Sequence, residues 1–375
     1  MSFTLLGLGT AVPATVIDQR EALEIARSLC CRTTEQATWL PTMYGHTGID
    51  RRHLILGQVV VRDVLDGTMH SASPFLPTGA ADDCGPTTAE RMRHYVAGAG
   101  PLALHAARKA FAQSGLSPGA ITHLVTVSCT GFQAPGVDIE LIRGLDLLPT
   151  VQRTHIGYMG CHGALNGLRV ARAFTSADPT ARVLLCAVEL CCLHYHYGWD
   201  PQKMIANALF ADGAAALVGA ASPIADAPGS PLADTWRVAA SGSRVFPDST
   251  DAMTWTVGDH GFEMTLSKRV PSLIAANLRP WLVSWLGEEK VALEEVSSWA
   301  IHPGGPRILD AVAEALELTA EQTADSRAVF AEYGNMSSPT VLFIVEQLQR
   351  RRAARPCVAL GFGPGLAVEA ALFSG

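Results

Sequence analysis

Short apolar runs of strand length alternate along this chain with longer segments in which apolar residues recur at helical spacing. In the first part of the chain, apolar runs predict strands over residues 3–8, 121–129 and 182–188. Helical spacing predicts helices over residues 22–29 and 92–112. Alternation of strands with helices indicates a mainly parallel sheet that is covered by helices on both faces.

The second part of the chain repeats this order in outline. A strand is predicted over residues 236–241, a helix over residues 271–286, a strand that ends at His302 and a helix after Pro306. A segment rich in Pro, Ser and Asp, residues 221–233, separates the two parts. We therefore expect an α/β fold made of two similar halves, residues 1–225 and 226–375.

The composition narrows the class of protein. With 48% hydrophobic and 17% charged residues, the 375-residue chain can bury a large core. The net charge of −7 gives no basic footprint for nucleic acid, so no nucleic-acid partner is expected. No apolar run approaches the ~18 residues of a membrane span, so no transmembrane segment is expected.

The nine cysteines do not form the pattern of a disulfide framework, because their number is odd and two pairs are adjacent in sequence. This usage is typical of a reduced compartment, and we expect a cytoplasmic protein. Zinc-ligand spacing is also missing from the sequence, so no metal site is expected.

Cys161 is the candidate nucleophile. A strand over residues 154–159 leads through the turn Gly160-Cys161 into a predicted helix. The unpaired amide groups and the dipole at a helix N-terminus favour a thiolate, and a thiolate is the reactive form of cysteine. The alternative is a buried cysteine with a packing role only.

Two polar residues of the second half stand in similar turns. His302 ends an apolar strand before a Gly/Pro loop, and Asn335 precedes a helix for which Ser338 is the expected N-cap. Each has a purely structural alternative, a hydrogen-bonded histidine or a turn-forming asparagine. Together with Cys161, however, they suit thioester chemistry, because His and Asn N–H donors can hold an oxyanion or the enolate of a decarboxylated malonyl thioester.

Five segments of the chain resemble the type III polyketide synthases, the chalcone and stilbene synthase-like family. These segments are residues 160–161, 209–216, 301–306, 334–338 and 361–365. Residues 189–191 and 253–255 resemble the bacterial branch of that family more than the plant branch. The resemblance implies a thiolase-like fold of five αβαβα layers and a homodimer. It assigns Cys161 as the acyl-carrying nucleophile and His302 and Asn335 as its partners in loading, decarboxylation and condensation. The substrates it implies are coenzyme A thioesters with malonyl-CoA as extender, and no bound cofactor.

The resemblance also implies a substrate cavity. Phe210 matches the first gatekeeping phenylalanine of the family, and Met264 replaces the second. Trp255 takes a position usually held by glycine, which can shrink or redirect the cavity, and Ala134 replaces a methionine that reaches across the dimer interface. The remaining residues assigned to the cavity are Cys129, Cys191, His194, Ser337, Gly363 and Pro364.

At the mouth of the substrate tunnel, the positions whose basic side chains hold coenzyme A phosphates in plant members differ here. They align with Trp39, Thr42 and His46, and the candidate replacements are Arg51, Arg52 and Arg307. The starter is therefore expected either as acyl-CoA or on an acyl carrier protein.

The sequence thus predicts iterative decarboxylative condensation of malonyl-CoA onto an acyl starter, followed by cyclisation to an alkylpyrone or alkylresorcinol. The alternatives are a single-step ketoacyl synthase III-like enzyme, a chalcone synthase-like enzyme with an aromatic starter, a cysteine hydrolase and an inactive scaffold.

Overall fold

The computed structural model describes residues 2–221 and 235–375. The strands of its first half are β1 (Phe3–Ala11), β2 (Thr15–Asp18), β3 (Arg51–Leu54), β4 (His123–Ser128), β5 (Gln152–Gly157), β6 (Arg182–Leu190) and β7 (Asp212–Ala221). Those of the second half are β8 (Arg237–Val245), β9 (Met253–Gly258), β10 (Gly261–Leu266), β11 (Ser298–Ile301), β12 (Cys357–Gly363) and β13 (Ala367–Ser374).

Helices precede, separate and follow these strands. In the first half they are α1 (Gln19–Cys30), α2 (Thr34–Gly45), α3 (Gln58–Asp66), α4 (Thr88–Ser114), α5 (Val137–Leu145), α6 (Gly163–Ala177) and α7 (Pro201–Leu209). In the second half they are α8 (Val270–Glu288), α9 (Pro306–Leu316), α10 (Ala320–Tyr333) and α11 (Thr340–Arg350).

The main sheet has the same plan in both halves. The first half orders its strands β5-β4-β6-β7-β1, and the second half orders its strands β11-β12-β13-β8. The two halves join where β1 meets β8 through the antiparallel pairs Phe3↔Val238 and Thr4↔Arg237. The duplication inferred from the order of elements is thus visible in the strand order.

The prediction of a mainly parallel sheet is wrong. Strand β4 is parallel to β5 and β6, and β11 is parallel to β12, but the other pairs of the main sheet are antiparallel. The turn between β12 and β13 is far too short for a parallel crossover, which requires about a dozen residues. Alternation in sequence also does not tell whether a helix such as α7 crosses the sheet or returns on the same side.

The layers follow the expected αβαβα order. Helix α4 packs on the outer face of the first half of the sheet, where Ala103, Ala106 and Ala110 are fully buried. Helices α6 and α11 form the central layer, and Leu168 and Ile344 are fully buried between the two halves. Helices α8 and α9 pack on the outer face of the second half. The architecture is therefore α/β and thiolase-like, as predicted.

The predicted boundary between residues 225 and 226 lies outside the described residues. Across the described ranges, no helix is both long enough and apolar enough to span a bilayer. In those same ranges, no three His, Cys, Asp or Glu side chains are grouped so that they could hold a metal ion. All nine cysteines are described, and each is free.

Candidate active site

Cys161 lies in a tight turn, Gly160–His162, between β5 and the first residue of α6. The turn requires glycine at position 160, because its φ is +76° and an added Cβ would lie 2.7 Å from Cδ of Pro364. The nucleophile candidate is buried, at 7% exposure. The predicted place of Cys161 just before a helix N-terminus is confirmed.

Asn335 comes from the second half and faces Cys161. Its Oδ1 is 4.0 Å from the Cys161 Sγ and accepts a 2.8 Å hydrogen bond from the backbone N–H of Ser337. Because Oδ1 is held as an acceptor, Nδ2 is the donor of this side chain. The backbone of Asn335 is fixed by two 2.9 Å bonds, from its N–H to the Leu209 carbonyl and from the Ala211 N–H to its own carbonyl.

His302 follows β11 at the same end of the sheet. Its backbone N–H donates to the Leu360 carbonyl at 2.8 Å, so His302 continues the pairing of β11 with β12. The turn that carries Cys161 packs on that end of β12, where a Cβ on Gly361 would come 3.1 Å from Cβ of His162. His302 is fully buried, and neither ring nitrogen has a hydrogen-bond partner among the described residues. This is unlike the hydrogen-bonded structural histidine considered as its alternative.

Burial dominates the electrostatics of the site. It raises the pKa of Cys161 to about 11, although hydrogen bonds with Ser337 and Asn335 act to lower it. Burial, followed by the nearby His162, lowers the pKa of His302 to about 3. Both shifts favour a neutral thiol and a neutral imidazole, in contrast to the thiolate expected from the helix N-terminus alone. Activation of the thiol requires a base.

Glu189 is a buried residue of the site that the sequence reasoning missed. Its carboxylate accepts hydrogen bonds from the Cys129 N–H at 2.9 Å, from the Thr130 Oγ1 at 2.7 Å and from the Ser338 Oγ at 2.5 Å. Burial raises its pKa, against these hydrogen bonds. Glu189 thus ties the end of β4 to the loop that carries Asn335. The available signal was a single acidic residue in the otherwise apolar run of β6.

The expected cap of α11 is consequently wrong. Ser338 makes no N-cap bond, since its hydroxyl goes to Glu189, and α11 begins at Thr340 without a side-chain cap. A buried carboxylate competes successfully for the hydroxyl because an unsatisfied buried charge is more costly than an uncapped helix N–H.

Most of the predicted cavity residues, but not Gly363 or His194, converge on the sulfur of Cys161. They enclose a space of only about 20 Å³, and its walls include Cys129, Cys191, Phe210, Trp255, Met264 and Pro364. Ser337 also contributes, and its Oγ lies 3.3 Å from the Cys129 Sγ. Gly363 is not in this wall and instead packs on His162, where a Cβ would lie 2.4 Å from Cδ2.

A second, apolar cavity of about 80 Å³ adjoins the first. The two share Cys191, Phe210, Trp255 and Met264 as walls. Apart from these shared walls, the apolar cavity is lined largely by apolar side chains of α1, α3 and neighbouring segments, including Ile25, Leu29, Val61, Val64 and Phe75. Its lining is mostly apolar and combines aliphatic with aromatic side chains.

Trp255 and Met264 form a cross-strand pair of the β9–β10 hairpin. The Trp255 indole N–H donates to the Cys129 carbonyl at 2.7 Å, which fixes the ring over the sulfur site. His194, at 5.7 Å from Trp255 by ring centroids, stacks on Phe262 at 4.1 Å. His194 therefore lies behind the hairpin and lines the apolar cavity rather than the space at the sulfur.

The candidate phosphate-binding residues differ in availability. Arg52 is buried and donates to the carbonyls of Asn207 and Phe210 at 2.7 and 3.0 Å, so it is not accessible to phosphates. Arg51 is paired with Glu332 at 3.3 Å. Arg307 lies in the first turn of α9, is exposed and lines a surface groove. Trp39 is 63% exposed.

Known protein families account for both halves. Residues 2–223 match the family "Chalcone and stilbene synthases, N-terminal domain", and residues 237–375 match the corresponding C-terminal domain. Among solved structures, PKS-I from the brown alga Ectocarpus siliculosus is 31% identical with a TM-score of 0.90, over 100% of this chain and 98% of that one. The C-terminal type III polyketide synthase domain of Steely1 from Dictyostelium is 26% identical with a TM-score of 0.87, over 100% and 99% of the two chains.

A curated relative from Mycobacterium tuberculosis is named "Alpha-pyrone synthesis polyketide synthase-like Pks18". It is 30% identical over 373 residues, which cover 98% of this chain and 90% of that protein. The two domain families match residues 2–223 and 237–375, and this relative matches 98% of the chain. The chain therefore belongs to the chalcone and stilbene synthase family, the type III polyketide synthases, which are acyltransferases that use coenzyme A thioesters as substrates.

Proposed function

We propose that this enzyme loads an aliphatic acyl starter onto Cys161, extends it iteratively with malonyl-CoA and releases an alkyl α-pyrone. The observation that carries this proposal is the apolar cavity that adjoins the sulfur site across Cys191, Phe210, Trp255 and Met264. The relative named for α-pyrone synthesis supports the same product class.

Cys161, His302 and Asn335 divide the chemistry in this proposal. Neutral His302 accepts the thiol proton as the Cys161 sulfur attacks the starter thioester. It then returns this proton to the departing sulfur, so coenzyme A leaves as its thiol. Malonyl-CoA then loses carbon dioxide, and the electron pair of the broken bond becomes an enolate held by the Asn335 Nδ2 and His302 N–H donors. The enolate carbon attacks the Cys161 thioester, and the bond from the acyl carbon to the sulfur breaks. The extended chain is then a coenzyme A thioester and returns to the Cys161 sulfur for the next extension. Each such donor contributes ~2.7–4 kcal/mol of transition-state stabilisation.

The apolar cavity holds the alkyl tail of the starter in this proposal. Each methylene buried there stabilises the acyl-enzyme by roughly 0.8 kcal/mol, so affinity rises with chain length until the cavity is full. The starter's tail passes between Phe210 and Met264, and methionine is unbranched and adapts to a flexible chain. The lining also contains the aromatic side chains of Phe75, Tyr197 and Phe262, so an aromatic starter is the alternative that has to be tested.

The small space at the sulfur favours the pyrone over the resorcinol. A cavity of about 20 Å³ holds little more than one water molecule. A six-membered lactone closes after two condensations, whereas a resorcinol ring needs a third condensation and a folded chain. The alkylresorcinol is the second candidate, and it requires that Trp255 move away from the sulfur.

Two features of the assembly are also proposed. The weakly basic surface at Trp39, Thr42 and His46 favours delivery of the starter by an acyl carrier protein, and faster loading of Cys161 from acyl-CoA than from the carrier would contradict that.

A homodimer is supported by the edge strand β5 and by Phe132, which is 57% exposed next to Ala134. Light scattering that gives a monomer mass would contradict the dimer.

A panel of starters tests the proposed substrate class. Acetyl-, hexanoyl-, dodecanoyl-, hexadecanoyl- and p-coumaroyl-CoA are each supplied with malonyl-CoA, and kcat/KM is measured from products identified by mass spectrometry. We expect the medium or long aliphatic starters to give the highest values and α-pyrones as products. A preference for p-coumaroyl-CoA would contradict the aliphatic assignment.

A further inference from the structure

An ion pair, Lys203–Glu263, lines one side of the apolar cavity. Lys203 Nζ lies 2.8 Å from Glu263 Oε2, and both side chains line that cavity. The Glu263 side chain is 47% exposed and that of Lys203 is 24% exposed. Among the cavity's lining residues, all from the described part of the chain, Glu263 is the most exposed to solvent. The pair therefore marks a place where the cavity meets solvent.

The two partners belong to the two elements that carry the gate. Lys203 lies in the first turn of α7, which leads directly to Phe210. Glu263 lies on β10 between Phe262 and Met264, both of which also line the cavity. The ion pair thus links α7 to the β9–β10 hairpin on the solvent side of the gate.

The hairpin is anchored elsewhere by bonds that do not involve this pair. At its turn, the Thr88 N–H donates to the Asp259 carbonyl and the Gly261 N–H donates to Thr88 Oγ1, each at 2.8 Å. At its inner side, the Phe262 N–H donates to Nδ1 of His194 at 3.0 Å. Loss of the ion pair should therefore leave the hairpin folded and free only the side chains at the mouth.

We propose that the Lys203–Glu263 ion pair is a latch across the mouth of the apolar cavity that sets the upper length of the acyl chain. This inference rests on the proposed alkyl-chain site. With the latch closed, a chain longer than the cavity must force its methyl end past two charged groups. With the latch open, the end of a long chain extends into solvent at no such cost. Because the pair is partly exposed, it is weak enough to open.

Glu263→Gln and Lys203→Met remove one charge each at nearly constant size. Glu24→Gln is the matched control, since it breaks a comparable surface pair, Arg27–Glu24 at 2.6 Å, that does not line the cavity. The readout is the ratio of kcat/KM for hexadecanoyl-CoA to that for hexanoyl-CoA. We expect this ratio to rise about threefold in both latch variants, the order of effect of a half-exposed ion pair, and to stay unchanged in the control.

Two further experiments distinguish the effect of the ion pair from a mere loss of side-chain packing. The charge swap Lys203→Glu with Glu263→Lys should restore the wild-type ratio. High salt, which weakens a partly exposed ion pair, should raise the ratio in the wild type but not in Glu263→Gln. Unchanged ratios in both single variants of an enzyme that uses aliphatic starters would overturn the latch alone. A wild type that extends no aliphatic starter would overturn the proposed function, and the latch with it.

Discussion

The sulfur of Cys161 lies 4.0 Å from the amide oxygen of Asn335, although 174 positions separate the two residues in the chain. The first half of the fold supplies the sulfur and the second half supplies the amide. The Asn335 backbone is bonded on both sides of Phe210, so Phe210 and Asn335 are held by one short bridge. A substitution at Phe210 or Asn335 is therefore expected to shift the backbone of the other residue.

Replacement of Cys161 by alanine should separate loading from decarboxylation. Cys161→Ala is expected to abolish acyl loading and to retain part of the malonyl-CoA decarboxylation, because His302 and Asn335 still hold the enolate. Intact-protein mass spectrometry and carbon dioxide release measure the two activities. Cys186→Ala, another buried cysteine but one outside both cavities, is the control. Loss of both activities in folded Cys161→Ala would refute this division of roles.

Replacement of Asn335 by alanine should affect decarboxylation more than loading. The enolate loses its amide donor, so decarboxylation is expected to fall by about 100-fold or more, as for the loss of one oxyanion donor. The Asn335 side chain also accepts the Ser337 N–H, and Asn335→Asp keeps that acceptor while it removes the donor. Both variants should therefore decarboxylate poorly. Equal loss of loading and decarboxylation would show that Asn335 is not chiefly an enolate donor.

Trp255 should limit the number of extensions. Trp255→Leu is expected to enlarge the space of about 20 Å³ at the sulfur and to shift the products towards one further condensation. Trp255→Phe keeps an aromatic ring but removes the hydrogen bond to the Cys129 carbonyl, so it separates bulk from anchoring. Product masses give the answer, and an unchanged product in Trp255→Leu would remove Trp255 from the determinants of chain growth.

His194 should make the fold sensitive to acid. Its Nε2 bonds the Thr130 carbonyl at 2.6 Å and its Nδ1 accepts from the Phe262 N–H, so a proton on Nδ1 would face an N–H. Burial lowers the pKa of His194 to about 3, below its ordinary value of 6.5. The unfolded chain therefore binds a proton that the folded chain does not, and stability falls as pH falls from about 6.5 towards 3.

Each such histidine contributes up to ~1.4 kcal/mol per pH unit in that window. Glutamine at position 194 can keep both hydrogen bonds without titrating, so the free energy of unfolding of His194→Gln should fall less steeply with acid. Urea unfolding of wild type and variant at several pH values between 4 and 7 measures the difference. Parallel curves would mean that His194 is protonated in the folded state.

Much of this site could be predicted because residue type and turn position are local properties. Cys161 before a helix, His302 after a strand and Asn335 in a turn stand out in the sequence. The state of the Cys161 thiol could not be predicted, since the helix N-terminus is local but the burial that raises its pKa comes from both halves of the fold. Likewise Ser338 has the sequence position of a cap, yet it bonds a carboxylate 149 positions away.

The fold shows the same division. Strands β1, β4, β5, β6, β8 and β11 followed from hydrophobic periodicity, but β7 and β13 were not predicted. Their antiparallel direction depends on how the connections run in space. The ion pair between Lys203 and Glu263 was equally invisible, since neither residue stands out in its own segment.

Iterative extension on Cys161 is tested most directly by counting malonyl-derived units in the product. The enzyme is supplied with an unlabelled medium-chain acyl-CoA and with malonyl-CoA that carries carbon-13 at all three malonyl carbons. Decarboxylation removes one labelled carbon, so each extension adds two. A lactone that carries four or more labelled carbons is the expected result. A product with two labelled carbons would indicate a single-step condensing enzyme, and free acid without label would indicate a hydrolase; either would contradict a polyketide synthase that extends its starter repeatedly.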